Sequence, residues 1–452
     1  MEKKKKKHVH IVGICGVTMA PLAVLYKKMG WKVTGSDRGF FPPMSTYLEK
    51  NGIHIMPGFK KERLEPSCDF VLASAFITDK NPEVLEARRR NIPVKVYADV
   101  LPDLVEKENS VIIAGDCGKT STTALVAWIL EKAGYNPNFM IGGLPRNFEH
   151  GIRKTESNWS VMEGDEYVAS SWDNTPRFLY YHPKYLIVTD AAWDHMDKFT
   201  TEWSYIRAFW QLIKKVPHDG AIIAHANGRN IKRVVKTKVL KRTNIPLVFY
   251  ESMDSDNFIL PYPGRIWKEN CAAAIVLARY LGISDATIKE ALATFLGVKR
   301  RQEVRYKSEN IVLVDDNAHT PMKVKGALGV ISEMFPRYVR CVIYEPGNRS
   351  PAGLTQRGYG TCFKRAQFVI FPKVSSARAE LQDFNKRLAR RLQRYYKNLQ
   401  YIDNDQEVIL AMKKIAEHAI QNQKKVVFTF MSQKGFRGMI EEAVKTFTSL
   451  PR

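Results

Sequence analysis

The clearest chemical pattern in the chain is Ala114-Gly115-Asp116-Cys117-Gly118-Lys119-Thr120-Ser121-Thr122, set between an apolar strand and a helix expected over 124–133. A bound phosphate needs backbone N–H donors in a turn, a helix N-terminus behind them, an ammonium for the β- and γ-phosphates and a hydroxyl for Mg2+. Gly115 and Gly118 supply the turn, Lys119 the ammonium, Thr120 the hydroxyl, and Ser121 follows in the first helical turn. The full phosphate-loop pattern asks for a glycine five residues before Gly118. Ile113 stands there, so only a shorter Gly-x-x-Gly-Lys-Thr form survives, which alone also fits an ordinary strand-to-helix turn.

Two acidic clusters bear on that choice. Val161-Met162-Glu163-Gly164-Asp165-Glu166-Tyr167 ends an apolar run, and Trp193-Asp194-His195-Met196-Asp197 follows the apolar stretch 185–188. Carboxylates and an imidazole at strand ends of one sheet can converge beside a phosphate loop and hold Mg2+. Singly, each cluster also reads as a surface cap or a packed histidine; with the loop, the three point to an ATP site.

These residues need a parallel sheet to hold them. From residue 8 the order is strand 8–12, glycine turn, helix 20–29, strand 32–35, helix 44–51, then apolar 70–73. The same grammar restarts at 111–114, and again at 311–314, 341–344, 368–371 and 425–430. Strands alternating with helices imply an α/β chain with parallel sheets, here in three units. Boundaries are expected near Glu108 and near Gly297 to Arg301.

At 452 residues the chain exceeds one hydrophobic core. Its 45% hydrophobic and 26% charged residues are a globular composition. The net charge of +24 attracts polyanions without choosing among nucleotides, nucleic acid and an acidic membrane surface. Cys15, Cys68, Cys117, Cys271, Cys341 and Cys362 form no C-x-x-C pair, which argues against a zinc site or a disulfide framework and for a reducing cytoplasm. Lys3 to Lys7 before an apolar stretch imitate a secretory signal, but His10, Gly13, Gly16, Thr18 and Pro21 interrupt it as strand, turn and helix would. No stretch is long and apolar enough to span a bilayer. A basic helix over 385–400 carries Lys386, Arg387, Arg390, Arg391, Arg394 and Lys397, with Leu388, Leu392, Tyr395 and Leu399 as its core stripe; this is read as a solvated face, with no nucleic acid expected.

The motifs together resemble the ATP-dependent Mur ligases. Gly115 to Ser121, Glu163 to Tyr167, Asp194-His195-Met196-Asp197, Gly297-Val-Lys-Arg-Arg301, Asp315-Asp316-Asn317-Ala318-His319-Thr320-Pro321 and Glu345-Pro346 follow that family's order and approximate spacing over nearly the whole chain. Gly13-Ile-Cys-Gly16, Thr34-Gly-Ser-Asp37, Pro42-Pro-Met-Ser45, 141–148 and Met431-Ser432 resemble the branch that joins UDP-N-acetylmuramate to L-alanyl-γ-D-glutamyl-meso-diaminopimelate, with the L-alanine-adding branch as sister.

The resemblance implies three domains: a Rossmann-like UDP-sugar-binding domain (1–107), a P-loop-type central ATPase domain (108–298) and a Rossmann-like C-terminal domain for the amino acid or peptide (299–452). It implies ATP and Mg2+ as cofactors, and a carboxylate activated as an acyl phosphate before an amine attacks it. By position, Gly115, Gly118, Lys119, Thr120, Ser121, Asn270 and Arg301 serve ATP, and Thr120, Glu163 and His195 the metal. Lys119, His195, Arg301, Asp316 and His319 serve catalysis, and Gly13, Gly16, Ser36 and Asp37 the UDP-substrate. The chain departs from the family at Asp116, where threonine is usual, at Ile266-Trp267 in place of His-Asn, at Asp190 and Ala192 in place of Asn and Glu, and at Thr320 in place of a second histidine. These changes put nucleotide handling or catalysis in question.

Overall fold

Parallel strands covered on both faces need largely apolar sequences, and β6 (Asn109–Ala114), β14 (Ile311–Asp316) and β18 (Val426–Met431) each carry at least three apolar residues and are almost wholly buried. The computed structural model describes residues 6–235, 244–347, 358–375 and 379–449. Lys3 to Lys5 of the basic N-terminus lie outside the described residues; Lys6 and Lys7 lead straight into the first strand.

Among the described residues the strands form three sheets. The first joins β1 (His8–Val12), β2 (Lys32–Asp37), β3 (Met56–Pro57), β4 (Phe70–Ala73) and β5 (Val94–Val96) in the order β3-β2-β1-β4-β5, all parallel. The second adds to β6 the strands β7 (Asn138–Met140), β8 (Ile152–Arg153), β9 (Trp159–Gly164), β10 (Tyr185–Val188), β11 (Ala221–His225) and β12 (Leu247–Tyr250). Its order is β12-β11-β10-β6-β9-β7-β8, parallel except for the edge strand β8. The third contains β13 (Glu303–Lys307), β14, β15 (Val339–Tyr344), β16 (Phe368–Pro372), β17 (Leu399–Ile402) and β18 in the order β13-β14-β18-β15-β16-β17, with β13 antiparallel. The α/β class with three sheets is as the sequence implies. In the first two sheets the strand order reverses beside β1 and β6, and such switch points open a crevice at the C-terminal strand ends. The glycine turns at 13–16 and 115–118 emerge there.

The chain packs as two compact units, Met1–Pro261 with Glu269–Leu296, and Tyr262–Lys268 with Gly297–Arg452. Within the first unit, one apolar cluster runs from Val9 and Leu22 of the first sheet to Met140, Leu186 and Ile222 of the second.

Several elements differ from expectation. The helix after the phosphate-type turn starts at Lys119, not 124, because Gly118 at φ +84° caps it and residues 119–123 continue helically despite three threonines. The basic helix spans Ala379–Leu392 and stops before 400. Leu399 belongs to β17, and Tyr395 is 66% exposed, so the expected core stripe ends at Leu392. The cations from Lys386 to Lys397, on the helix and in the connection after it, are exposed, as a solvated face requires. Trp267 is buried against Tyr262, rings 4.5 Å apart and 24° from parallel, and donates Nε1–H to Gln302 Oε1 at 3.0 Å. All six cysteines are unbridged.

Candidate functional site

Strand β6 delivers Ala114 fully buried, and the chain must turn at once to enter the helix Lys119–Lys132. Gly115 at φ +138° and Gly118 at φ +84° make that turn. Neither tolerates a side chain: a Cβ on Gly115 would lie 2.2 Å from Thr189 Oγ1, and one on Gly118 would lie 2.3 Å from Asn270 Oδ1. The second contact brings Asn270, on the helix Arg265–Tyr280, against the turn. Thr189 holds the loop from the other side by donating to the Cys117 carbonyl at 2.6 Å.

Around the helix N-terminus the side chains converge. Thr120 Oγ1 donates to Glu163 Oε1 at 3.1 Å, and Glu163 Oε2 accepts from the Gly142 amide at 2.9 Å. Lys119 Nζ donates to Glu166 Oε2 at 2.7 Å, and the other oxygen of Glu166 lies 3.2 Å from His195 Nε2. Asp165 is ion-paired with Arg177, whose guanidinium also lies over the rings of Tyr97 and Tyr167. Asp165, Glu166 and His195 each present a ligand atom within 4.8 Å of the others.

The electrostatics follow from this crowding. Burial pulls the Lys119 pKa down, but the Glu166, Asp165, Asp116 and Glu163 carboxylates outweigh it and raise the value, so the ammonium stays charged. Burial pushes Glu166 up, yet Lys119 and His195 bring it below its ordinary range. Asp165 is lowered in the same way, with Arg177 the largest of the cations that overcome its burial. The site is thus a buried, ionised network with a helix N-terminus at its base, suited to polyanionic phosphate with divalent cations.

His195 adopts φ +55°, a conformation that costs a non-glycine residue energy, and its amide donates to Asp194 Oδ1 at 2.7 Å. Its ring lies 4.7 Å from that of Tyr167. Asp190, one of the departures from the family pattern, is paired with Arg229 at 2.8 Å. Asp116, another, is buried, with Cys117 Sγ donating to its carboxylate at 3.5 Å.

Of the sequence-derived residues, Gly115, Gly118, Lys119, Thr120, Ser121, Glu163, His195 and Asn270 therefore gather at the end of β6. Glu166, the bridge between Lys119 and His195, carries no signal in the sequence that distinguishes its role from that of Asp165 beside it. Gly142 was likewise missed; a Cβ there would meet the Glu163 carboxylate at 2.5 Å.

At the first glycine turn, Gly13 at φ +81° and Ile14 both donate backbone N–H to the Ser36 carbonyl, at 2.8 and 3.1 Å. The Gly16 amide closes back onto the Gly13 carbonyl at 3.1 Å. Asp37 Oδ2 accepts from the Cys15 amide at 2.9 Å, so its carboxylate shapes the turn. The Ser36 hydroxyl is buried and donates to Glu83.

In the second unit, Asp316 ends β14, buried, accepting from the Gln302 amide at 2.9 Å and the Ala318 amide at 2.7 Å. Burial raises its pKa, opposed chiefly by the Arg301 charge. His319 Nδ1–H donates to the Asn317 carbonyl at 2.7 Å, and the Tyr344 hydroxyl donates to the His319 carbonyl at 2.9 Å. Beside them Glu345 accepts from the Ser432 hydroxyl at 2.7 Å.

Comparison with known proteins gives a consistent result. Residues 8–109 match the Mur ligase family catalytic domain and 113–259 the Mur ligase middle domain. The UDP-N-acetylmuramate–L-alanyl-γ-D-glutamyl-meso-2,6-diaminoheptandioate ligase of Escherichia coli K12 is 34% identical over 342 residues, covering 72% of this chain and 75% of that one. The UDP-N-acetylmuramate–alanine ligase structure from Thermotoga maritima superposes with TM-score 0.77 at 23% identity, over 98% of this chain and 99% of that one. The murein peptide ligase structure from Psychrobacter arcticus gives TM-score 0.76 at 23% identity, over 99% and 100%.

Proposed function

The chain belongs to the Mur ligase family of ATP-dependent ligases, and we propose that it joins the carboxylate of UDP-N-acetylmuramate to the free amine of L-alanyl-γ-D-glutamyl-meso-diaminopimelate. The observation that carries this reading is the convergence of Lys119, Thr120, Glu163, Glu166 and His195 at the start of the helix Lys119–Lys132. The diaminopimelate tripeptide is favoured over L-alanine as acceptor by the 34% identity to a ligase named for it.

A carboxylate is a poor acyl donor, so ATP must provide the leaving group. A substrate carboxylate oxygen attacks the γ-phosphorus, the bond to the β-phosphate oxygen breaks, and ADP leaves. The amine nitrogen then adds to the acyl carbon, loses its proton to a base and expels inorganic phosphate, leaving the amide. Catalysis is mainly charge neutralisation and positioning. In this reading Gly115, Gly118 and Ser121 bring backbone N–H groups to the phosphates, Lys119 exchanges Glu166 for phosphate oxygens, and Asn270 lies on the nucleotide side of the loop. The hydroxyl and carboxylate oxygens of Thr120 and Glu163 are the hard donors that Mg2+ takes, and Glu166 with His195 offers a second set. Bound there, the metal supplies positive charge against the phosphate oxygens. Arg301 is assigned to the γ-phosphate, and Asp316 and His319 to the amine. Gly13, Gly16, Ser36 and Asp37 build the turn for the uridine diphosphate. The assigned domains are 1–107, 108–298 and 299–452. Among the described residues no helix is long and apolar enough to cross a membrane; the proposed substrates, ATP and a UDP-sugar, favour a cytoplasmic reaction.

The test offers the tripeptide and L-alanine in parallel, with UDP-N-acetylmuramate, ATP and magnesium, and reads phosphate release and amide product. Tripeptide-dependent turnover lost in Lys119→Ala is the expected outcome. Turnover with L-alanine alone replaces the acceptor. Equal inertness of both proteins, with UDP-N-acetylmuramate still bound, leaves a binding protein that has lost its chemistry.

A further inference from the structure

Among the cations of the second unit that the ligase reading leaves unused, one set lies together at one end of its sheet. In a parallel sheet all strands begin at the same end, so the residues entering them are neighbours whatever their separation in sequence. Lys424 and Lys425 lead into β18, and Arg337 leads into β15. Lys364 and Arg365 precede β16, and Arg394 and Lys397 precede β17. Because β13 runs antiparallel, its last residue, Lys307, reaches that end too. All of these side chains are exposed. With strands about 4.8 Å apart, the row is about 24 Å wide.

Two ordinary explanations fall short. Cations neutralise helix C-termini, and the helices Pro321–Met334, Ala379–Leu392 and Asp405–Gln421 do end here. Only Ala379–Leu392 carries Lys or Arg in its last turn, however; the row lies in the connections beyond the helices. Ion pairing is the other explanation. Among the described residues of this unit, ion pairs engage Arg300, Arg305, Arg387 and Arg437, and none joins a cation of the row to a carboxylate. By their place in the chain, Glu309, Glu333 and Glu417 lie toward this end, fewer than the cations of the row. Arg340 is moreover held against Arg365, donating Nε–H to its carbonyl at 2.6 Å, so like charges are packed together.

We propose that this end of the second unit is a docking face for an anionic lipid bilayer. The ends of a sheet and its loops make a broad face rather than a groove. Among the described residues no helix projects from it to enter a nucleic-acid groove, and Tyr395 is its one strongly exposed aromatic, too few for a base-stacking platform. A row of cations facing a layer of phosphate headgroups gains from each contact within a Debye length, about 8 Å at physiological salt. Asp316 and His319 lie at the opposite end of the strands, so docking leaves them uncovered.

The experiment measures co-sedimentation of the full chain with vesicles of phosphatidylcholine containing 30% phosphatidylglycerol, against pure phosphatidylcholine, at low and high salt. Binding to the anionic vesicles alone, weakened by salt, is expected. At roughly fivefold per cation, Arg365→Glu, Lys397→Glu, Lys424→Glu and Lys425→Glu combined should lower the partition at least about 100-fold, and Lys424→Glu with Lys425→Glu about 25-fold. Unchanged circular dichroism and unchanged solution activity show that both variants fold. An equal reversal on the first unit, at Lys61, Lys80, Lys154 and Lys214, should change binding less than about threefold. The proposal falls if that control loses as much, if anionic vesicles are not bound at low salt, or if duplex or single-stranded DNA binds the same face more tightly and displaces the vesicles.

Discussion

Asp116 is the residue on which nucleotide affinity turns. Its buried carboxylate contributes to raising the Lys119 pKa, so it shares the field that would meet the phosphates. A like charge a few ångströms from a bound anion costs on the order of 1 kcal/mol or more, even at high effective dielectric. Asp116→Thr is therefore expected to lower the KM for ATP about tenfold with little change in kcat, read by steady-state kinetics. A higher KM in that variant would mean that the carboxylate serves a metal ion. The identity of residue 116 is plain in the sequence; the packing of its side chain beside Lys119 is not, because a loop of the same residues could turn it outward.

The turn between β6 and the helix Lys119–Lys132 is an element whose backbone and neighbours make separable demands. Gly118 and Gly134 have nearly the same φ, +84° and +82°, but a Cβ on Gly134 meets nothing within 4 Å whereas one on Gly118 meets Asn270. Gly134→Ala should cost about 1 kcal/mol from conformation alone. Gly118→Ala should cost more and weaken ATP binding at least about tenfold, as measured by urea unfolding and nucleotide titration. Equal losses in the two variants would remove Asn270 from the loop. The long buried strands of the sheet centres were legible to within about two residues because they are mostly apolar, whereas short or edge strands such as β3, β5, β8, β12 and β17 were not. The helix ends were less legible: threonines at 120, 122 and 123 hid the start of Lys119–Lys132, and the apparent register of Leu388, Leu392, Tyr395 and Leu399 hid the end of Ala379–Leu392, since β17 supplies Leu399 from another element.

At the scale of the molecule, one face of the first sheet carries a buried polar chain that spacing alone suggested only as breaks in an apolar run. His8 and His10 alternate on β1, and both approach the Thr34 hydroxyl at 2.8 Å. Ser67 lies 3.0 Å from His8 Nδ1, and Glu83 lies 3.5 Å from His10 Nε2. Burial first, then Lys32 and His10, lowers the His8 pKa against Glu65 and Asp69, which raise it. The unfolded chain then takes up that proton first, so stability is fullest above the ordinary value of 6.5 and declines as pH falls through it. His8→Gln should melt lower at pH 7.5, yet lose less than the native chain on going to pH 5.5. Asp315, raised by burial to about 6, acts in the opposite direction in both proteins and cancels from the comparison.

The order of motifs, the α/β class, the phosphate-type turn and the family were all readable from residues in a line, because each depends on local spacing and on runs of one kind of side chain. Tertiary structure alone decided that Glu166 ties Lys119 to His195, that Trp267 is spent on Tyr262 and Gln302, and that cations from five strands share one end of a sheet. Those facts depend on distances between residues tens of positions apart, which a sequence orders but does not measure.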